Sequence, residues 1–194
     1  MLCETYRPRL RSSRTSLRAH PPSFFCKEGN SRRGIEVRAL NTFLPYPDLQ
    51  ESVRCLDRQR LGKQRVEAFQ ILNTVCAPPA IAGPLPVRRR PWARAPAVRM
   101  WMGYPQALAL YYNLCLIEWD ARGYRNILLK PSHLAGSLCT ADLAMPPWFG
   151  LDEVHASHRS NLLRKLPEYY SQFSWTEPSD LPYVWPVPLV NEQT

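Results

Sequence analysis

Between Leu56 and Leu72 apolar residues recur at three- and four-residue steps. Leu61, Ala68, Leu72 and Val75 form the stripe, and Val66, Phe69 and Cys76 widen it, which predicts a central amphipathic helix ending near Cys76. Arg60, Gln64 and Glu67 repeat at the same spacing on a neighbouring strip, with Lys63 four residues before Glu67. A second helix is predicted from about Tyr104 to Arg122. Leu108, Tyr111, Cys115 and Trp119 mark its buried face, Leu110, Leu114 and Ile117 widen it, and Gly123 closes it. The aromatic stripe on that helix reads as core rather than as a stacking platform.

Shorter elements fill in around these two. Order begins at Arg38-Ala39-Leu40-Asn41-Thr42-Phe43-Leu44, Pro45 and Pro47 force a turn, and Asp48 caps a short helix starting near Leu49. Ala77 to Ala97 is a loop rich in Pro, Ala and Arg, and Leu128 to Leu151 is mostly loop. Asp152 or Ser157 caps a last helix through Leu166, presenting His155, His158, Arg159, Arg164 and Lys165. From Pro167 to Thr194 the chain is rich in Pro, Tyr and Trp and wraps the surface irregularly. The class expected is mainly α: one compact helical domain with long irregular loops.

Composition changes this picture in two places. The 45% hydrophobic content suits a globular core, and no apolar run is long enough to span a membrane. The +9 charge is uneven, because nine basic and three acidic residues lie at or before Arg38, so +6 sits there. Residues 1–36 are rich in Arg and Ser, hold Pro21-Pro22 and show no periodicity. They read as a disordered or mis-assigned extension ahead of a domain at 37–194. They lack the apolar stretch of a secretory signal. An organellar targeting segment is one explanation, and a translation start near Val37 is another. The six cysteines are scattered with no Cys-x-x-Cys pair, and Cys76 and Cys115 fall on apolar helix faces as buried thiols.

Candidate chemistry centres on Glu67, one carboxylate among Arg58, Arg60, Lys63 and Arg65. Such an acid stays ionised and balances positive charge on a substrate. The competing account is a solvated helix face on which Lys63 and Glu67 form a weak ion pair. Arg88-Arg89-Arg90-Pro91-Trp92-Ala93-Arg94 suits phosphate and base contact, or is a solvated basic loop. His155 and His158 form a His-x-x-His pair without the acid a metalloprotease needs, so no metal is expected. No Gly-rich phosphate loop or Gly-x-Ser-x-Gly elbow occurs, which argues against nucleotide hydrolases, dinucleotide oxidoreductases and serine hydrolases.

Three blocks resemble the pyrimidine-dimer DNA glycosylases of the endonuclease V type, above all their uncharacterised bacterial branch. These are Arg38 to Leu72, with Thr42-Phe43-Leu44-Pro45-Tyr46-Pro47-Asp48 and Arg60-Leu61-Gly62-Lys63-Gln64-Arg65-Val66-Glu67; Ala97 to Tyr124; and His155 to Tyr170. The resemblance implies a cofactor-free and metal-free helical enzyme of base-excision repair, a monomer acting on double-stranded DNA. Such an enzyme is both glycosylase and AP lyase: it removes one base of a dimer through an imine and then cuts the backbone by β-elimination. The nucleophile implied is the α-amine of the mature N-terminal residue. Glu67 matches the family's glutamate, with Arg60 and Arg65 beside it as catalytic candidates. Arg58, Lys63, Gln64, Arg99, His158, Arg159, Arg164 and Lys165 are the implied DNA contacts. Two departures stand out: residues precede Arg38, and Ala95 occupies a position where relatives often carry His. A bacterial host implies the cytoplasm, at the nucleoid. The alternatives are a non-catalytic nucleic-acid-binding protein on the same fold, or a relative with altered substrate.

Overall fold

The computed structural model describes residues 40–76, 92–136 and 143–186. All belong to Glu36–Thr194, the second of two units into which the chain divides; Met1–Ile35, the first, lies outside them. The extension expected over 1–36 and the Arg88–Arg90 run therefore also lie outside the described residues. The elements are α1 (Leu49–Arg54), α2 (Arg58–Val75), α3 (Pro96–Arg99), α4 (Pro105–Ala121), α5 (Asp152–Lys165) and α6 (Pro167–Tyr170), with 3-10 turns at His133–Ala135 and Ser171–Phe173. No strand occurs among the described residues. The fold is mainly α.

Local chemistry sets the helix ends. Asp48 accepts from Glu51 N at 2.7 Å to start α1, and Asp57 accepts from Gln59 N at 2.8 Å to start α2. Pro105 opens α4 at a position where a missing N–H costs nothing. Gly123, with φ of 76°, closes α4 through paired bonds from Gly123 N to Asp120 O and from Tyr124 N to Trp119 O. The last long helix departs from expectation. Leu151 is its N-cap without a side-chain bond, Asp152 is its first residue, and Ser157 lies inside it. The segment after Pro167 is not wholly irregular either, since it forms α6 and a 3-10 turn.

The faces turned inward differ from the predicted stripes. On α2 the buried residues are Leu61, Gln64, Glu67, Ala68, Ile71 and Leu72. Val66 and Phe69 remain 43% and 37% exposed, and Cys76 is exposed. The helix is rotated toward Gln64 and Glu67, which places two polar side chains where the apolar count put hydrocarbon. On α4, Tyr111, Tyr112 and Cys115 are fully buried whereas Ile117 is 61% exposed. The centre of the core is aromatic. Trp101 meets Trp148 edge-on at 5.0 Å and donates its indole N–H to Thr42 Oγ1 at 3.0 Å.

That rotation of α2 has a cause. Residues 40–45 are buried outside any helix, and no strand occurs among the described residues, so their backbone groups need partners from side chains. Gln64 supplies two, accepting from Phe43 N at 3.0 Å and donating to Asn41 O at 3.1 Å. Tyr111 lies 3.0 Å from Phe43 O, His155 Nδ1 is 2.7 Å from Leu44 O, and Arg159 donates to Pro45 O at 2.8 Å. A second irregular stretch is served in the same way by α5. Ser157 Oγ accepts from Val184 N, Ser160 Oγ accepts from Leu181 N, and Asn161 donates to Leu181 O. The helical scaffold therefore grips two irregular segments through polar side chains, and one of them runs past Glu67.

Candidate active site

Glu67 sits on the flank of α2 that meets the buried segment, and it is 7% exposed. Its Oε2 accepts from Gln64 Nε2 at 3.3 Å, and its Oε1 faces Lys63 Nζ at 3.2 Å. The Asn41 backbone also hydrogen-bonds it. Burial pushes the Glu67 carboxyl above its ordinary range. The Lys63 ammonium, the Asn41 backbone and the charge of Lys165 pull the other way, and burial prevails. A solvated helix face does not describe this acid. Its protonation equilibrium is displaced toward neutrality, which suits a group that both gives and takes a proton.

Gln64 is fully buried and holds the carboxylate through an amide whose orientation is set by its other end. Gln64 Oε1 accepts from Phe43 N and lies 2.7 Å from the Tyr111 hydroxyl, so its NH₂ group must face Asn41 O and Glu67. The order is Tyr111, Gln64, Glu67, and each member limits the freedom of the next. As a DNA contact Gln64 is out of reach from solvent. Its place is behind the acid.

The basic residues separate into groups. Lys63, with a side chain 52% exposed, and Lys165 bring positive charge to Glu67 from α2 and from the end of α5. Arg60 joins these two helices, pairing with Asp57 Oδ2 at 3.2 Å and donating to Lys165 O at 3.1 Å. Arg164 is exposed and donates to Asn161 Oδ1. Arg99 is half-buried at the end of α3. Arg58 and Arg65 lie on the opposite flank of α2, where Arg65 lies 3.8 Å over the Trp119 ring and burial lowers its pKa. Arg65 is thus not beside Glu67.

Two further residues are structural in position. Arg159 spends its donors on Glu177 Oε1 at 2.6 Å, Asp152 Oδ1 at 2.9 Å and Pro45 O. His158 is fully buried between the Phe43 and Tyr183 rings, and burial pushes its pKa down to about 3. It presents nothing to an external phosphate. His155 is buried as well, accepting from Gly150 N at 3.0 Å, so the pair is divided between two interior environments rather than sharing one ligand. No cluster of three or more metal-ligating side chains occurs among the described residues, and none of the described helices is long and apolar enough to cross a membrane.

Sequence reasoning missed Tyr111 and Tyr170 as partners of the site's supports. Tyr170 is fully buried, donates to Asp57 Oδ2 at 2.7 Å and accepts from Asp57 N at 3.2 Å. It thereby braces the residue that starts α2 and holds Arg60. A buried tyrosine whose hydroxyl needs a partner is the signal both carry, but pattern alone does not reveal the partner.

No curated protein and no solved structure matches the chain. The third block of the resemblance, His155 to Tyr170, falls outside the stretch covered by the family match. Residues 40–132, which carry α1 to α4 together with Glu67, Gln64 and Lys63, match the family model of the pyrimidine dimer DNA glycosylases, so over that stretch the chain is similar to that family.

Proposed function

We propose that the protein is a DNA-repair glycosylase with AP-lyase activity on damaged duplex DNA such as pyrimidine dimers, working through an imine and assisted by Glu67. The supporting observation is the setting of Glu67, a buried carboxylate with a raised pKa, held by Gln64 and flanked by Lys63 and Lys165. A module that only binds nucleic acid has no use for a fixed acid at the centre of a cationic face, because it repels phosphate. A reaction that builds positive charge at a sugar C1′ does use one.

In this reading an amine attacks C1′, the glycosidic bond breaks, and the base leaves with the bonding electrons. Ring opening leaves a C1′ imine. Glu67 first stabilises the cationic sugar and assists proton transfer, then accepts the C2′ proton as the 3′ phosphate departs. The Lys63 and Lys165 ammonium groups hold the flanking phosphates. The amine implied by the family is the α-amine of the mature N-terminal residue. Val37 stands four residues before Asn41, whose backbone touches Glu67, so chain connectivity limits a terminus there to about 15 Å from Asn41 Cα.

The test is borohydride trapping on a duplex carrying one cyclobutane dimer, followed by peptide mapping of the adduct. A covalent adduct in wild type that is lost in Glu67→Gln supports the proposal, and the mapped peptide names the amine. Tight binding to the same duplex with neither adduct nor strand cleavage would put the binding-only alternative in its place.

A further inference from the structure

At 3.6 residues per turn, Arg58, Gly62 and Arg65 lie half a turn round α2 from Glu67. On that flank a cleft of about 830 Å³ opens, lined also by Trp119, Tyr124 and Tyr169. Four of its side chains form a continuous row of ring and guanidinium contacts. The Arg58 guanidinium lies 5.0 Å over the Tyr124 ring, Tyr124 packs 4.5 Å from Trp119, and Arg65 lies 3.8 Å over Trp119. The Trp119 indole N–H donates to Arg125 O at 3.2 Å, which fixes the ring's position.

This arrangement is not the cheapest way to finish a surface. A glycine inside a helix costs about 1 kcal/mol relative to alanine. A Cβ at Gly62 would stand 3.0 Å from Trp119 Cζ3, so the glycine makes room for the indole. Arg65 Nε is buried without a hydrogen-bond partner, a further cost. Part of the charge in the cleft is already balanced, since Asp120 acts on Arg65, which also donates to Asn126 Oδ1 at 3.3 Å. Asp57, the acid lining it, is engaged by the start of α2, by Arg60 and by Tyr170. Arg122 is occupied by Glu118, Leu56 O and Arg54 O, and Arg65 by Asn126 and the Trp119 ring, which leaves the exposed Arg58 as the cation placed to meet a ligand.

We infer that this cleft binds a nucleotide outside the Glu67 site, its base against the Trp119–Tyr124 aromatic wall and its phosphate at Arg58. Neighbouring aromatic rings with a guanidinium beside them suit a nucleotide, because each base has a π-face and carries an anion at a fixed distance. A fully paired duplex offers its phosphates but hides its base faces. The occupant is therefore an unpaired nucleotide, either within a strand or free, and the two sources share the same chemistry.

The experiment titrates the full chain with adenosine monophosphate and, separately, with an undamaged single-stranded tetranucleotide. It reads the tryptophan indole N–H resonances, with the Trp119 line assigned by its disappearance in Trp119→Phe. A saturable shift of that line with the mononucleotide identifies a free-nucleotide site, and a shift with the tetranucleotide alone identifies a strand site. In either case Arg58→Glu, at an exposed position, weakens the titration about tenfold, and Tyr124→Leu does so by a similar factor. A Trp119 line that neither probe moves overturns the inference, as does a titration unchanged in both variants. No lesion or imine enters the assay, so its outcome is separate from that of the glycosylase proposal.

Discussion

The side-chain amide of Gln64, one turn before Glu67 on α2, donates to the Glu67 carboxylate across 3.3 Å while Tyr111 lies 2.7 Å from its other end. Replacing Gln64 with leucine removes the partner of Phe43 N and Asn41 O in the interior, while the Tyr111 hydroxyl keeps Phe43 O. The variant should lose about 3 kcal/mol of stability, measured by denaturant titration. Gln64→Glu retains the shape and places a like charge beside Glu67. The acid limb of the imine-trapping pH profile, where the Glu67 carboxylate takes up its proton, should then move upward, which a purely structural role for Gln64 would not produce.

Glu67→Gln should separate activity from stability. General acid–base groups contribute about 10²–10⁴-fold, so trapping and cleavage should fall by that factor. The folded pKa of Glu67 is raised above its ordinary 4.5, so in the window above 4.5 the folded protein retains a proton that the unfolded chain has released. Stability from this group is lost as pH rises through that window. The variant is therefore expected to melt no lower than wild type near neutrality, with any advantage shrinking below pH 4.5. Paired melting curves at the two pH values check it.

His158 has the opposite sign. Its folded pKa of about 3 lies below the ordinary 6.5, so between those values the unfolded chain binds the proton and the folded one does not. Stability is lost as pH falls through this window, at up to about 1.4 kcal/mol per pH unit. Near pH 5 this amounts to roughly 2 kcal/mol from one buried ring. Neither ring nitrogen has a hydrogen-bond partner, so His158→Phe should fold and show a flatter acid limb in melting temperature against pH. An unchanged acid limb would remove His158 from the acid response.

Arg159 and Lys165 should behave differently even though both are basic residues of α5. Arg159→Met breaks the pairing with Glu177 and Asp152 and leaves Pro45 O without its donor. A loss of about 3 kcal/mol in stability is expected. Lys165→Gln should leave melting nearly unchanged. If Lys165 meets one phosphate, the slope of log affinity for duplex DNA against log salt should fall by about 0.9.

The helices are legible in the chain because their signals are local. Asp48, Pro105 and Gly123 act within one turn, and the stripes of α2 and α4 repeat often enough to be read. What surrounds Glu67 depends on a contact that no local signal encodes. Leu40-Asn41-Thr42-Phe43-Leu44 is buried without being helical, and no strand occurs among the described residues to pair with it. Such a segment obliges polar side chains elsewhere to serve its backbone. Gln64, His155 and Arg159 are those side chains, and in sequence they have the same appearance as DNA contacts. The apolar stripe of α2 misleads for the same reason, since Gln64 and Glu67 take interior positions that Val66 and Phe69 fit by composition.

The bond from Tyr170 to Asp57 joins residues 113 positions apart. Asp57 starts α2, and the family match ends at residue 132, well before Tyr170 is reached. During synthesis, α2 can emerge with its stripe complete while the hydroxyl that braces its first turn has not yet been made. Bringing together residues so far apart costs loop-closure entropy that local helix contacts do not. The stretch that matches the family model is therefore shorter than the stretch this bond ties together, and a fragment cut at the edge of the first would lack the clasp of the second.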